Sequence, residues 1–253
     1  MGTRMAETSE SETPGGTVLV IGSGPGAVAA RDWLDPPFDA VVAINNAWAV
    51  RPDWTHHIHP EDFPPERGPA GCRPGQRVVT YEEYVPANNA FGGVLYAGGT
   101  MAFTAGYWAL HRLQPRVIAF VGCDMVYPSS GPTHFYGTGT ADPLRPDLSL
   151  RSLEAKAARL ALKAAQAGCA CVNLSPSESR LVFPRATLPE LATARVSAPD
   201  LPAGITEAAE QLERDAGYVV ASGRYWEAET RFDPARIDAI DAAWSAAYAR
   251  LRE

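Results

Sequence analysis

Short apolar runs, each closed by a turn rich in glycine, proline or asparagine, recur along this chain. Runs of about five residues rich in valine and isoleucine are typical of buried strands. They occur at residues 17–21 (TVLVI), 40–44 (AVVAI), 117–121 (VIAFV) and 169–174 (CACVNL). Two more polar runs, residues 54–59 (WTHHIH) and 77–81 (RVVTY), are predicted as further strands.

Segments with apolar residues at helical spacing alternate with these runs. Helices are predicted at residues 27–33, 98–113, 150–167, 205–217 and 234–252. The clearest is residues 150–167, whose apolar stripe consists of Leu153, Ala157, Leu160 and Ala164.

This alternation predicts βαβ units, in which right-handed crossovers join parallel strands. We therefore expect an α/β fold, a doubly wound and mostly parallel Rossmann-like sheet of about five or six strands. It would occupy residues 16–183, and residues 184–253 would form a small helical C-terminal subdomain. Residues 1–15 are polar and acidic and are predicted to be a disordered tail.

The chain has 253 residues, a net charge of -7 and no stretch of clustered Lys and Arg. General nucleic-acid binding is not expected, because phosphate contacts need clustered cations. No apolar run reaches the ~18 residues of a membrane span, and the polar N-terminus has no signal-peptide core. Four cysteines without a CxxC pair predict buried, reduced thiols in a cytoplasmic protein.

The first predicted strand ends in GSGPGA, residues 22–27, which is close to the dinucleotide-binding fingerprint. Backbone amides in such a turn suit a phosphate. An NAD site also needs an acidic residue at the end of the second strand, and Asn45 and Asn46 stand there instead. The pattern favours a nucleotide other than NAD, and a tight turn without a ligand is the alternative.

A long loop that follows the strand at residues 117–121 carries the side chains best suited to chemistry. His134 is the catalytic candidate, because a pKa near 6.5 lets imidazole accept a proton at neutral pH. Tyr127 and Tyr136 offer hydroxyls to a leaving phosphate. Asp124 either orients a ligand or caps the loop backbone. The alternative is a loop pinned by its own hydrogen bonds, without chemistry.

Three histidines, His56, His57 and His59, lie close together beside Glu61 and Asp62. Alternate residues of a strand share a face, so His57 and His59 could chelate a metal. Nearness in sequence does not supply the geometry of three ligands, and we predict a structural or pocket-lining role with no metal.

Taken together, these motifs resemble the bacterial sialyltransferases of glycosyltransferase family 42. Those proteins have a strand followed by GxGPS, an Asn after the second strand and a helix that starts Thr-Ser-Gly. They also have a strand that ends Gly-x-Asp-x-Tyr and a Ser-His-Tyr-x-Gly segment. The matching segments here, within residues 17–183, are GSGPG, Asn45, Thr100, VGCDMVY and THFYGTGTADPLR. Gly26 stands where the family has Ser, and Met101-Ala102 follow Thr100 in place of Ser-Gly.

The resemblance implies roles for particular residues. His134 matches the general base of the family, and Tyr127 and Tyr136 would lie near the leaving phosphate. The residues implied to bind the cytidine nucleotide are Gly22, Ser23, Gly24, Pro25, Asn45, Asn46, Thr100 and Asp124. The family needs no metal, and its nucleotide-sugar donor is a substrate, so no separate cofactor is implied.

The leading hypothesis is therefore a metal-independent, inverting glycosyltransferase. It would move a sugar from a nucleotide donor, a CMP-sugar by resemblance, to a hydroxyl of a glycan or glycolipid acceptor. The same core occurs in pterin pyrophosphokinase-like domains, so a Mg²⁺-dependent pyrophosphokinase is one alternative. A non-catalytic nucleotide-binding or partner-binding protein is the other.

Overall fold

The computed structural model describes residues 15–127, 130–138 and 146–252. Six strands form one parallel sheet in the order β4-β3-β2-β1-β5-β6. They are β1 (Thr17–Ile21), β2 (Ala40–Ile44), β3 (His56–Ile58), β4 (Arg77–Val79), β5 (Val117–Val121) and β6 (Ala170–Asn173). With helices beside the sheet, the predicted Rossmann-like α/β fold is confirmed. Most of the predicted tail, residues 1–14, and the GTADPLR part of the His134 motif, residues 139–145, lie outside the described residues.

Seven α-helices are present among the described residues. They are α1 (Tyr81–Asn89), α2 (Val94–Ala97), α3 (Met101–Arg112), α4 (Leu153–Gln166), α5 (Leu188–Ala192), α6 (Glu207–Ala216) and α7 (Pro234–Leu251). The helix predicted at residues 27–33 is instead a 3-10 helix, Pro25–Asp32, in which Gly26 weakens α-helix formation. The strand predicted at residues 77–81 is too long, because Tyr81 already begins α1.

Alternation along the strands builds one apolar layer on each face of the sheet. Val18 and Val20 of β1 face α3 and α4, where they join a core with Trp108 and Leu160. Leu19 faces the other side, where α5 and two 3-10 helices, Pro25–Asp32 and Asn45–Ala49, cover the sheet. The four residues of the predicted α4 stripe are all buried, which confirms that helix and its orientation.

The order in which the chain adds strands to the sheet reverses between β1 and β5. Successive strands run from β1 outward to β4 on one side, and β5 and β6 lie on the other. At such a switch point the loops after adjacent strands separate and leave a crevice, where open α/β sheets bind ligands. In this protein the crevice lies above the turns after β1 and β5, which both line it.

The C-terminal helices pack on α4 through a third apolar cluster that includes Leu162, Ile240 and Trp244. Two buried ion pairs cross this interface. Arg159 of α4 donates from Nε to Glu213 Oε1 of α6 at 2.6 Å, and Lys156 donates from Nζ to Asp241 Oδ1 of α7 at 2.7 Å. These contacts fix the C-terminal region against the sheet.

Two further expectations concern the cysteines and membrane-spanning segments. Cys123, Cys169 and Cys171 are buried as predicted, but Cys72 is exposed, because it lies in a Pro- and Gly-rich loop outside the core. Within the described part of the chain, no helix has both the length and the apolar character needed to cross a membrane.

Candidate functional site

A cleft of about 1930 Å³ opens at the carboxyl edge of the sheet, over the switch point between β1 and β5. The turns after β1, β2 and β5 form its floor. All the residues predicted to act in binding or catalysis line it: Gly22, Ser23, Gly24, Pro25, Asn45, Asn46, Thr100, Asp124, Tyr127, His134 and Tyr136. The fold therefore brings into one cavity side chains that are far apart in sequence.

The glycine turn after β1 is held against the turn after β5. Gly22 N donates to Val121 O at 2.9 Å, and Gly24 N donates to Gly122 O at 2.8 Å. A Cβ atom on Gly22 would lie 2.3 Å from Gly122 O, so the close approach of the two turns requires glycine. Two amides of the turn are thus already used, and Pro25 has none. For the amides of Ser23 and Gly26, no backbone hydrogen bond outside the helices and strands is found among the described residues, so these are the donors that the turn can offer a ligand.

The loop that carries His134 is fixed directly to this turn. Phe135 N donates to Ser23 O at 3.0 Å, and His134 and Gly137 exchange two backbone hydrogen bonds of 3.0 Å each. The backbone here is pinned, as the alternative for this loop supposed. The side chain of His134, however, lines the cleft and is half-buried.

Aromatic rings surround the His134 imidazole. The Tyr136 ring stacks on it with centroids 4.9 Å apart, and the Tyr127 centroid lies 6.3 Å away. His134 Nδ1 lies 2.9 Å from Thr133 Oγ1. Burial lowers the pKa of His134 below its usual value, so the imidazole is neutral at pH 7 and is able to accept a proton. Burial raises the pKa of Tyr127 to about 12, so this hydroxyl remains a hydrogen-bond donor.

Asn45 has a strained backbone at the end of β2. Its φ angle is +52°, in the left-handed region that non-glycine residues seldom adopt. The neighbouring strand holds it there, since His57 Nε2 lies 2.8 Å from Asn45 O and His57 is buried. Among the described residues, Asn45 Oδ1 is buried without a hydrogen-bond partner. A positive φ angle at a residue that lines a cleft is typical of a ligand-binding position.

Thr100 and Asp124 line the cleft but also have structural partners. Thr100 is the N-cap of α3, and its Oγ1 accepts from Phe103 N at 3.3 Å. The N-terminus of α3, with its partial positive charge, therefore lies at the cleft. An Asp124 carboxylate oxygen accepts from Asn173 Nδ2 at 3.3 Å, so it is oriented by β6.

The three clustered histidines have separate partners. His56 Nδ1 lies 2.9 Å from Thr55 Oγ1, His57 contacts Asn45 O, and His59 Nδ1 lies 2.9 Å from Pro60 O. Burial lowers the pKa of both His56 and His57 to about 4. No group of three or more His, Cys, Asp or Glu able to hold a metal ion is found in the described ranges.

Sequence reasoning missed one side of the cleft, which we call the C-terminal wall, residues 222–226. Tyr225 donates its hydroxyl to Asp147 Oδ2 at 2.7 Å and lies 3.1 Å from Ser149 Oγ, which in turn accepts from Gly99 N. Arg224 Nη2 reaches Glu61 Oε2 at 3.1 Å. The segment lies between two predicted helices and has no periodic pattern, so its aromatic pair was the only signal in the sequence.

The cleft is more acidic than its predicted ligand would suggest. Among the described residues, its lining contains two guanidinium groups, those of Arg67 and Arg224, and six carboxylates: Glu61, Asp62, Asp124, Asp147, Glu178 and Glu229. In this part of the chain, the partners for an anionic group are the turn amides, the N-terminus of α3 and the two guanidinium groups.

The function of this cleft has to be inferred from its geometry and from the sequence motifs. Comparison of the chain with protein-family models, with curated proteins and with solved structures finds no match.

Proposed function

We propose that the protein is a metal-independent, inverting glycosyltransferase that uses a nucleotide-activated sugar, with His134 as general base. The observation that carries this proposal is the position of the His134 imidazole. It lies in the cleft over the switch point, on a loop hydrogen-bonded to the glycine turn through Phe135 N and Ser23 O. A base and a nucleotide-type turn therefore share one cavity, which agrees with the resemblance to family 42 sialyltransferases.

The donor would bind along the inner cleft. Its phosphate has the amides of Ser23 and Gly26 and the N-terminus of α3 as partners, and these suit a single phosphate better than a diphosphate. Asn45 lines the cleft and is half-buried, so its side-chain amide group can donate a hydrogen bond to an oxygen of the nucleoside. A CMP-sugar, with one phosphate, fits this limited set of donors.

The reaction is a displacement at the anomeric carbon. An acceptor hydroxyl oxygen forms a bond to this carbon as the bond from the carbon to the phosphate oxygen breaks, which inverts the configuration. The hydroxyl proton moves to His134, and the nucleotide leaves as its monophosphate. If the Nδ1 proton of His134 is donated to Thr133 Oγ1, the lone pair of Nε2 is available for that proton.

The two tyrosines stabilise the leaving group. The rings of Tyr127 and Tyr136 lie beside the imidazole, which supports a role for their hydroxyls as donors to the phosphate oxygen on which charge develops. The raised pKa of Tyr127 keeps its proton in place for this role. Tyr127→Phe is accordingly expected to reduce turnover more strongly than nucleotide affinity.

A thermal-shift panel across CMP, CDP, UDP, GDP, ATP and NAD tests the donor class, since a ligand that binds only the folded state raises Tm. We expect CMP to give the largest shift.

His134→Ala should lower the rate of sugar transfer, or the rate of donor hydrolysis, by about 10²–10⁴-fold while the CMP shift remains. Full activity in that variant would remove His134 as the base. If CMP raises the Tm of the wild type but the donor is not hydrolysed at all, a non-catalytic nucleotide-binding protein is favoured.

A second candidate, a Mg²⁺-dependent pyrophosphokinase, is favoured by the acidic lining of the cleft. Mg²⁺ often binds through one or two carboxylates together with substrate phosphates, so a site of three protein ligands is not required. Asp124 and Asp147 are carboxylates of this kind. A chelator separates the two proposals: EDTA should abolish a pyrophosphokinase and leave the glycosyltransferase unaffected.

A further inference from the structure

Exposed aromatic side chains are confined to the cleft. Among the described residues, the aromatic side chains that are exposed are Tyr81, Tyr136 and Trp226, and all three line the cavity. Tyr136 stacks on His134 and belongs to the catalytic group. Tyr81 and Trp226, 42% and 56% exposed, lie away from that group, on α1 and on the C-terminal wall. Large apolar groups left open in a concave site are typical of a surface that a ligand covers.

Trp226 is held in place by its buried neighbour. Tyr225 is 2% exposed and is fixed by hydrogen bonds to Asp147 and Ser149 beside the start of α3. The Trp226 ring contacts the Tyr225 ring edge to face, at 5.4 Å and 76°. Trp226 therefore presents its indole from a fixed backbone, next to the end of the cleft where α3 begins.

Tyr81 lines the same cavity, on the helix against which the C-terminal wall packs. The C-terminal wall packs on α1 at Gly223, where a Cβ would be 3.0 Å from Val85, one helical turn after Tyr81. The Arg224 to Glu61 ion pair, 3.1 Å, joins the wall to the loop after β3. Tyr81, Glu61, Arg224 and Trp226 thus line the same cavity on segments that contact one another, so aromatic and hydrogen-bonding groups are available together.

We propose that this subsite, between Tyr81 and Trp226, binds the sugar ring of a neutral acceptor. The inference rests on the proposed function and names the acceptor site of that reaction. Sugar rings combine polarised C–H groups, which contact the electron-rich face of an aromatic ring, with hydroxyls that need charged or polar partners. Indole, phenol, carboxylate and guanidinium groups supply both kinds of contact here.

The charge of the subsite selects for a neutral ring. Glu61, Asp62 and Glu229 line this part of the cleft, and Arg224 is already paired with Glu61. An acidic sugar would place its carboxylate beside these three carboxylates, where like charges repel, and Arg224 already binds Glu61. Space is available, since 1930 Å³ exceeds the ~300–1,000 Å³ of a typical single-ligand pocket.

The test is saturation-transfer NMR on the full chain, with methyl β-glucoside, methyl β-galactoside and methyl β-glucuronide as probes, in the presence of CMP. We expect at least one neutral glycoside to bind and the glucuronide to bind more weakly. Trp226→Ala and Tyr81→Ala should each weaken the neutral glycoside about tenfold or more. Trp226→Phe should retain most of the binding, because it keeps an aromatic face. Leu34→Ala, which removes an apolar side chain that is 90% exposed outside the cleft, should change nothing.

Several outcomes separate this subsite from the donor site. If the wild type binds no neutral glycoside, or if both alanine variants bind it as the wild type does, the subsite is absent. Loss of the CMP thermal shift in Trp226→Ala would instead assign the indole to the nucleobase and overturn the inference. Wild-type protein that binds a glycoside without any response to CMP would support the subsite and contradict the proposed donor.

Discussion

Phe135 N donates a hydrogen bond to Ser23 O at 3.0 Å, across more than a hundred residues of sequence. This bond places the loop that carries His134 on the glycine turn after β1. The turn is itself bonded to the end of β5 through Gly22 and Gly24. The loop of His134, the glycine turn and the switch point therefore form one hydrogen-bonded arrangement, on which the proposed chemistry depends.

The pH dependence of turnover should report His134. Burial lowers its pKa, so the neutral, active form persists at neutral pH and is lost only as the pH falls below about 6.5. We expect the acid limb of kcat/KM to lie below that value and to fall about tenfold per pH unit. His56 and His57 have pKa values of about 4 and titrate lower still. An acid limb above 6.5, or one that survives in His134→Ala at the same pH, would contradict the assignment.

Replacement of Asn45 by glycine should separate stability from binding. Asn45→Gly relieves the strain of φ +52°, so we expect stability to be kept or raised by up to about 1 kcal/mol. The loss of the amide should weaken CMP binding about fivefold to tenfold. Gln114→Gly is the matched control, because Gln114 also has a positive φ, +47°, but lies outside the cleft. Isothermal calorimetry with CMP and thermal unfolding measure both effects, and unchanged CMP affinity in Asn45→Gly would exclude a binding role.

The glycine turn offers a second matched pair. In Gly22→Ala the new Cβ would lie 2.3 Å from Gly122 O and 2.7 Å from Cys123 Sγ, so the two turns must separate. We expect a loss of about 2–4 kcal/mol in the free energy of unfolding, together with lost CMP binding. In Gly26→Ala the nearest atom, Ser175 Oγ, would be at 3.6 Å, an ordinary contact. Chemical denaturation should therefore show little change for Gly26→Ala, and equal losses in both variants would refute the close-approach argument.

The buried ion pair between α4 and α6 should contribute strongly to stability. Glu213→Ala leaves Arg159 buried with Tyr107 as its remaining side-chain hydrogen-bond partner, and it removes the acceptor of Trp244 Nε1. We expect a cost of about 3–5 kcal/mol in the free energy of unfolding. The control is Glu154→Ala, which breaks the half-exposed pair with Arg180 and should cost under about 1 kcal/mol. Similar costs in urea denaturation would show that the buried pair is not special.

Acid should weaken the same pair. Burial raises the pKa of Glu213, but the charge and hydrogen bonds of Arg159 lower it by a larger amount. The net pKa therefore lies below its usual value. The stabilisation is therefore present at neutral pH and is lost as the pH falls through the lowered pKa. The difference in stability between wild type and Glu213→Ala should shrink accordingly on acidification.

The sequence by itself determined the sheet and much of the cleft floor. Apolar runs with abrupt glycine endings located β1, β2 and β5 correctly, because burial on both faces of a parallel sheet leaves a continuous apolar run. Since parallel strands end at the same edge, the residues after them, from Gly22 to His134, could be expected to meet. Local spacing also located α4, α6 and α7.

Only the tertiary structure decided the far side of the cleft and the state of its residues. Arg224 and Glu61 are 163 positions apart, and they meet in a fold in which the C-terminal helices pack on α4. Periodicity reports which face of an element is buried, but not which distant loop covers a cavity. The strained φ of Asn45 likewise depends on His57 of the next strand, a contact that local sequence does not encode.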